Sequence, residues 1–584
     1  MVQLSPAGAR PPTPEDPLPT AANITIPETL GLLDGPFLGL ASGVADGGYA
    51  FWLGSGVSRD RVIGLDGVLA KLIEFLRAHA TADPNCSYRA ALDKIVALAG
   101  ASADELATIS YAAPAATWPC LEDLLKRLWN QYSAVLSVEV PPEALDYLLW
   151  VGLDFPVTFA AQDPDAEHLA VGMLALEGVV SEIATTNWDG LFEAAMADLG
   201  YADAIYRITV TGEDLRTPQG AHATLYKFHG CALRAIKDEA HYRQLLVARS
   251  AQIAGWMNNA TFKIVRDQLE ALIQRSRTLV IGLSAQDRNI QHLFGKVGAV
   301  QGWKWTDQPT PIVFSAQELG DDQKVLLEVA YGAAYEANRV PIWEAARLQA
   351  HGKPLLLALL LWVLCHKVKT LAEDAVAPGL DAPGRAAIND GISHLRDRIA
   401  EAGDPDRLSL AKSIAWTVAR ARHQLQDGSS PSGVLRYFPL DTQPSNMMRG
   451  KPAMAATGQR EAAVAIGLIG LDVSEGAWTA GADDPTDARS GALRIASDNA
   501  EARVFFAAND DTVTTLLEQA AFDEDDRDVV LICSKRVSER QQRNPSRTYR
   551  TGKFGPRYLS FGPMLAGAPD LDALRDAFRK EVAV

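Results

Sequence analysis

The sequence has few cysteines, and none of them lies close to another. Among 584 residues there are only Cys86, Cys120, Cys231, Cys365 and Cys533, and no two form a Cys-x-x-Cys pair. Disulfide frameworks and four-cysteine zinc sites depend on such groupings, so we expect neither, and therefore no bound metal. Scattered free thiols are typical of proteins from the reducing cytoplasm, which is the location that we predict.

Positive charge and long hydrophobic runs are also scarce. Acidic residues outnumber basic ones by 72 to 55, giving a net charge of −17. This balance excludes a surface that coats nucleic acid throughout, but it allows a local basic patch. The longest apolar run, Leu355–Cys365, is about half of the ~20 residues that a membrane-spanning helix needs. We interpret it as a buried core helix, with a subunit interface as the alternative, and expect no membrane association.

The length of the chain predicts several domains, because one hydrophobic core rarely serves so many residues. We expect a flexible arm at 1–29, an α/β domain at 30–320 and a C-terminal region at 321–584. The start of the chain lacks the basic and apolar segments of a signal peptide. In the last region, apolar runs predict strands at Val464–Leu471 and Val529–Ser534, which would belong to a small α/β unit.

One segment of the α/β domain has a clear strand–turn–helix pattern. Residues 179–186 are rich in apolar and β-branched side chains, and helical spacing begins at Leu191. Between them lie Asn187 and Asp189, at the position where ligands bind in open α/β sheets. An aspartate there often only caps the helix, so Asp189 has two interpretations, whereas Asn187 is the stronger site candidate.

Three further strands end in glycine or polar residues. Tyr49–Leu53 leads into a glycine-containing loop, a strand at 224–228 ends at His229, and Arg277–Ile281 leads into a second glycine-containing loop. The candidate binding residues in these two loops are Gly54, Ser55, Gly56, Val57, Ser58, Gly282, Ser284 and Asp287. Carboxyl ends of parallel strands meet at one edge, so the sequence predicts a Rossmann-like parallel sheet with a nucleotide crevice.

A helical module of about 83–175 is predicted between the first two strands. Leucines and aromatic residues recur at helical spacing in Leu121–Leu136, and Glu143–Leu153 follows as a second predicted helix after Pro141 and Pro142. We assign its tryptophans and tyrosines to a core rather than to a ligand-stacking surface.

The order of the four strand ends resembles the SIR2 (sirtuin) fold family over residues 45–320. The corresponding segments here are GSGVS at 54–58, TTNWD at 185–189, HG at 229–230 and GLS at 282–284. Sirtuin deacylases also carry two Cys-x-x-Cys pairs for zinc, which this chain lacks. The Asp287 spacing resembles the SIR2-like NAD-consuming effectors of bacterial anti-phage defence, which generally lack the zinc module.

The resemblance implies NAD as substrate and assigns roles to the strand ends. Asn187 would hold the ribose hydroxyls or the attacking water, His229 would act as general base, and Asp189 would orient the site. The loop amides at 54–57 would bind the pyrophosphate, with Ser58 nearby, while Gly282 and Ser284 would line the adenosine ribose. The implied activity is NAD+ hydrolysis, gated by a partner or an oligomer in abortive infection.

Two other functions remain open, namely a sensor that binds NAD or ADP-ribose without cleavage and a zinc-free protein deacylase. The resemblance implies a HerA-type ATPase or a short Argonaute as partner, or a homo-oligomer. A basic segment with aromatics, Lys535–Arg557, could contact nucleic acid. Pairing of this segment with the acidic stretch 510–528, or with a neighbouring subunit, is the alternative that we prefer.

Overall fold

The computed structural model describes residues 20–160, 163–201, 206–216, 222–298, 302–432, 436–537 and 555–584. Most of the predicted N-terminal arm and the middle of the basic segment Lys535–Arg557 lie outside these ranges. The end of the predicted arm is ordered. Thr25 and Glu28 form a capping box that starts the helix Ile26–Asp34, and the Ile26 side chain is buried in the core.

The described residues form two sheets, of which the larger confirms the predicted Rossmann-like fold. Its seven parallel strands follow the order β3-β4-β2-β1-β5-β6-β7. The strands are β1 (Tyr49–Leu53), β2 (Glu182–Thr185), β3 (Tyr206–Thr209), β4 (Ala223–Lys227), β5 (Arg277–Ile281), β6 (Ile312–Ser315) and β7 (Arg347–Leu348). All five residues of β1 are buried, as expected for the central strand of a sheet covered on both faces.

Helices cover both faces of this sheet. Phe51 and Leu53 point into one hydrophobic cluster, whereas Trp52 points into the other, as strand alternation requires. The first face carries Ile26–Asp34, Leu38–Ala45, Ala166–Leu176, Leu191–Asp198 and Gly352–Glu373. The second face carries Ser250–Gly255, Lys263–Arg275, Arg288–Gly298, Asp321–Tyr331 and Ala333–Ala346.

The apolar helix Gly352–Glu373 is a core element of this layer. It is long and apolar enough to cross a membrane, but 83% of its most apolar window is buried inside the protein. The core interpretation of Leu355–Cys365 is therefore confirmed. Together with β7, this helix extends the sheet domain beyond residue 320, so that a boundary at 320 would cut through one hydrophobic core.

The predicted helical insertion is present and has a hydrophobic cluster of its own, to which the helix after β1 also belongs. The helix after β1 is Leu65–His79, and the helices of the insertion in this cluster are Ser87–Leu98, Ala103–Thr108, Leu121–Leu128, Tyr132–Val135 and Phe155–Thr158. The predicted helix over Leu121–Leu136 is present but interrupted, because Gln131 leaves the helical conformation (φ −124°) and its side-chain amide donates to the Leu98 carbonyl. The second predicted helix is wrong, because Glu143–Leu153 contains only a π-helical turn at Leu148–Gly152.

The C-terminal region packs helices on a second, mixed sheet of order β12-β11-β10-β9-β8. Its strands are β8 (Thr479–Ala482), β9 (Leu493–Ala496), β10 (Glu501–Ala507), β11 (Val529–Cys533) and β12 (Arg557–Ser560). Its helices are Ala382–Gly403, Arg407–Gln426, Ser445–Met448, Gln459–Ser474, Asp510–Glu518, Phe561–Gly567 and Leu571–Val582. The predicted strand at Val529–Ser534 is confirmed as β11.

The predicted strand at Val464–Leu471 is wrong, because this run lies inside the helix Gln459–Ser474. Glycines let that helix approach the helix Ala382–Gly403 closely. A Cβ on Gly391 would lie 2.2 Å from the carbonyl oxygen of Gly467, and one on Gly470 would lie 2.1 Å from that of Gly391. The glycines that interrupt the apolar run are therefore requirements of helix packing.

A buried ion pair within the sheet domain also forms hydrogen bonds with the C-terminal region. The Lys367 ammonium donates to a carboxylate oxygen of Glu177 at 2.8 Å and to the Asp441 carbonyl at 2.7 Å, and both charged side chains are fully buried. Tyr437 donates to the other oxygen of Glu177 at 2.5 Å. Buried charges of this kind are tolerated only when every partner is in place, so the two regions are held in one arrangement.

The helix contact leads to a stability prediction with a matched control. Gly391→Ala should lower the free energy of unfolding by about 1–3 kcal/mol, because its methyl group has no room. Gly31→Ala, also inside a helix but with no described atom within 4 Å of the added Cβ, should instead raise it by up to about 1 kcal/mol. Thermal unfolding of the two full-length variants measures this difference, and equal midpoints would contradict the close packing.

Candidate active site

The loop after β1 interlocks with the loop after β5. The Gly54 amide donates to the Ile281 carbonyl at 2.9 Å, and the Gly56 amide donates to the Gly282 carbonyl at 3.0 Å. A Cβ on Gly54 would lie 2.4 Å from the Gly282 oxygen, and Gly282 itself has φ +66°. Close backbone contact thus accounts for these glycines before any ligand is considered.

This packing affects the predicted phosphate site. The amides of Val57 and Ser58 also donate within the loop, to the carbonyls of Gly54 and Ser55. Pyrophosphate binding by the loop amides would therefore require these bonds to open. Ser55 and Gly56 are exposed, as are Gly282 and Ser284 on the facing loop, so the rim of the crevice is accessible.

Asn187 lies at the end of β2 and bridges to the loop after β1. Its Nδ2 donates to the Gly54 carbonyl at 3.2 Å and to Ser58 Oγ at 3.1 Å. A carbonyl can only accept, so this contact fixes which end of the amide faces the loop. The other end, Oδ1, is buried, and none of the described residues donates a hydrogen bond to it.

A buried histidine that the sequence did not indicate supports this bridge. His168 Nδ1 accepts from the Asp165 amide at 3.2 Å, so the ring proton is on Nε2, which lies 3.3 Å from Ser58 Oγ. Ser58 Oγ then accepts from both His168 and Asn187. The oxygen has no further accepting capacity, so it anchors the Asn187 amide.

Asp189 bonds the backbone at the start of the next helix, and its role in orienting the site stays a prediction. Its Oδ1 accepts from the Leu191 amide at 3.2 Å, at the start of the helix Leu191–Asp198. Burial raises the pKa of its carboxyl group, although the nearby Lys227 ammonium acts to lower it. Lys227 is fully buried and donates to the Asp189 carbonyl at 2.5 Å and to Glu193 at 2.6 Å, so it fixes the backbone of this turn.

His229 follows β4, and its ring is buried between two side chains of the segment after β5. Asn289 Nδ2 lies 2.8 Å from His229 Nε2, and Asp287 Oδ2 lies 3.9 Å from Nδ1. Because Asn289 Oδ1 accepts from the Ile290 amide, its Nδ2 must face the ring, which makes Nε2 the acceptor and puts the proton on Nδ1. Burial lowers the pKa of His229, although the charge of Asp287 acts to raise it.

The structure brings the two main candidates to one edge of the sheet. Trp188, between Asn187 and Asp189, donates its indole N–H to the His229 carbonyl at 2.9 Å. Since β2 and β4 are neighbours, the two loops are adjacent at the carboxyl ends of their strands. The sequence did not indicate Asn289, His168 or Tyr132, whose hydroxyl donates to Asp287 at 2.6 Å.

An acidic cluster beside the loop after β1 already has cations of its own. Asp60, Asp165 and Glu167 could together offer ligand atoms to a metal. The Lys353 ammonium, however, lies 2.7 Å from both Asp60 and Asp165, and Arg61 lies 3.5 Å from Asp165. The arrangement is therefore an ion-pair network at the edge of the site.

Two neighbouring buried groups lead to a prediction about pH. Burial lowers the pKa of His168 to about 4 and raises the pKa of Glu167 to about 7. The unfolded chain would protonate His168 below about pH 6.5, so this residue costs stability as the pH falls from 6.5 to 4. Glu167 costs stability as the pH rises from about 4.5 to 7, so the two slopes oppose each other.

His168→Gln should therefore remove one slope and leave the other. We expect its free energy of unfolding, relative to the parent chain, to improve toward low pH by up to about 1.4 kcal/mol per pH unit between 6.5 and 4. Glu167→Gln should show the reverse trend between pH 4.5 and 7. Urea titrations of the three proteins across this range test both signs, and parallel curves would rule out the assignment.

Comparison with known families agrees with this architecture. No curated protein sequence matches the chain. Residues 181–354 match the model of the SIR2-like domain, a family that uses NAD. The matched range runs from β2 to the start of the helix Gly352–Glu373, so it includes Asn187, His229 and the loop after β5. This part of the chain is therefore similar to a SIR2-like domain.

Proposed function

We propose that the protein hydrolyses NAD+ at the nicotinamide–ribose bond, giving nicotinamide and ADP-ribose. The observation that carries this proposal is the Asn187 amide. Its Nδ2 is fixed by Gly54 and Ser58, while Oδ1 is buried at the carboxyl edge of the sheet without a donor among the described residues. A buried acceptor left without a partner costs about 1–3 kcal/mol, which a ribose hydroxyl or a bound water would recover.

The chemistry of this bond suits such a site. Nicotinamide leaves as a neutral molecule and takes the bonding electron pair, so the reaction needs little acid catalysis. The requirements are a positioned water on the open face of the ribose and stabilisation of an oxocarbenium-like centre. Asn187 Oδ1 would accept a hydrogen bond from the water and so align the lone pair of the water oxygen with the ribose carbon.

His229 is the candidate general base. As the water oxygen bonds to the ribose carbon, its proton would pass to Nε2, the unprotonated ring nitrogen. Burial lowers the pKa of His229, which favours the neutral ring that a general base requires. Asn289 Nδ2 lies 2.8 Å from Nε2, so the water or a ribose hydroxyl must displace this amide.

That same contact favours a second candidate function, a module that binds NAD or ADP-ribose without cleavage. If Asn289 remained on Nε2 when the ligand bound, the ring would only position the ligand. Release of nicotinamide from NAD+ by the purified chain separates the two functions. A zinc-free deacylase would release nicotinamide only when an acylated peptide is added.

We also propose that the activity is controlled, because unregulated NAD+ hydrolysis would deplete the host cell. The C-terminal region is the candidate control element, and its Tyr437 hydroxyl and Asp441 carbonyl bond the buried Glu177–Lys367 pair of the sheet domain. A role as an abortive-infection effector, with a partner ATPase, a short Argonaute or a homo-oligomer as the gate, is consistent with this attachment. Co-purification with proteins encoded by neighbouring genes would test it.

Substitutions at the two central residues test hydrolysis directly. Asn187→Ala and His229→Ala should each lower the rate of nicotinamide release by about 10²–10⁴-fold while leaving the thermal midpoint near that of the parent chain. The matched control is His222→Ala, since His222 is exposed at the opposite end of β4 and should keep full activity. Native turnover in either site variant would contradict the proposed mechanism.

A further inference from the structure

The helical insertion contributes a side chain to the environment of His229. Tyr132 begins the short helix Tyr132–Val135, directly after the break at Gln131. Its ring packs against both the hydrophobic cluster of the insertion and that of the sheet domain. Its hydroxyl donates to Asp287 Oδ1 at 2.6 Å, across 155 positions of the chain.

Asp287 connects this hydroxyl to the histidine. The residue precedes the helix Arg288–Gly298, where a carboxylate commonly caps the helix. Here, instead, one carboxylate oxygen accepts from Tyr132 and the other faces His229 Nδ1 at 3.9 Å. The orientation of Asn289 independently puts the ring proton on Nδ1, so the proton points toward Asp287.

From this geometry we infer that Tyr132 is a positioning residue, which holds Asp287 so that its carboxylate orients the His229 ring and keeps the proton on Nδ1. The inference deepens the proposed function and rests on it for its kinetic consequence. A carboxylate that fixes the ring leaves Nε2 as the base and stabilises the imidazolium formed when the ring accepts a proton.

The insertion is well placed to hold this hydroxyl still. The segment that follows His229 is attached to the insertion by the Arg243–Asp146 ion pair at 2.7 Å and by the Ser250 amide, which donates to Ser137 Oγ at 3.0 Å. The side chain of Tyr132 therefore lies at a contact between the insertion and the sheet domain that these bonds hold in place. Burial and the adjacent Asp287 raise the pKa of Tyr132, so its hydroxyl remains a donor throughout the physiological range.

A double-mutant cycle tests the assignment. Tyr132→Phe removes one oxygen atom and should lower kcat for NAD+ hydrolysis about tenfold, with KM little changed, as for other groups that orient a catalytic side chain. Asp287→Asn should lower kcat at least as much. In the Asp287→Asn background, Tyr132→Phe should have no further effect, because it acts only through the carboxylate. Independent, multiplicative losses would overturn the inference, and so would an unchanged kcat in Tyr132→Phe.

The control and a second readout separate this inference from the proposed function. Tyr147→Phe makes the same change elsewhere in the insertion, where the hydroxyl bonds Tyr88 at 3.0 Å, and should keep parental kcat. The NMR signals of the His229 ring nitrogens, identified by their loss in His229→Gln, should shift in Tyr132→Phe and not in Tyr147→Phe. These signals test the contact even if the parent chain releases no nicotinamide, and their invariance in Tyr132→Phe would refute it.

Discussion

The orientation of the Asn187 amide is the constraint on which the candidate site depends. The Gly54 carbonyl can only accept, and Ser58 Oγ accepts from both His168 and Asn187. The amide nitrogen therefore has one stable direction, which leaves Oδ1 as the group available to a ligand. This arrangement requires the end of β2 to lie beside the loop after β1. The parallel register that pairs Leu53 with Thr185 provides it.

Much of this could be predicted from the sequence, because buried parallel strands are short apolar runs and their ends are marked by a change to polar residues. Asn187 and His229 each follow such a run directly, so local pattern was enough to find them. Local pattern could not predict Asn289, His168 and Tyr132, because each of them reaches the site through tertiary packing. His168 meets Ser58 across 110 positions, and its own surroundings in the sequence resemble those of any core helix.

The errors in the C-terminal half have a related cause. A short apolar run such as Val464–Leu471 suits a buried helix as well as a strand. The spacing of Gly467 and Gly470 is the feature that distinguishes a packed helix from a strand here. Small residues three positions apart indicate close helix packing, however, only if a partner helix is known. The extent of the sheet's core beyond residue 320 could not be predicted for a similar reason, because β7 has only two residues and the helix after it completes this core through leucines that have no strand-like pattern.

The two contacts of His229 differ in what they imply for turnover, although both lie close together after β5, Asp287 just before the helix Arg288–Gly298 and Asn289 in its first turn. Asp287 favours a protonated Nδ1 and so prepares the ring to act as a base, whereas Asn289 occupies the nitrogen that would act. Ala285, just before them, has φ +61°, a conformation that costs a non-glycine residue on the order of 1 kcal/mol or more. This strained residue also follows the exposed Gly282 and Ser284 at the crevice rim. A ligand bound at the rim would therefore contact the loop that leads directly to Asn289, the residue that determines whether His229 Nε2 is free to accept a proton.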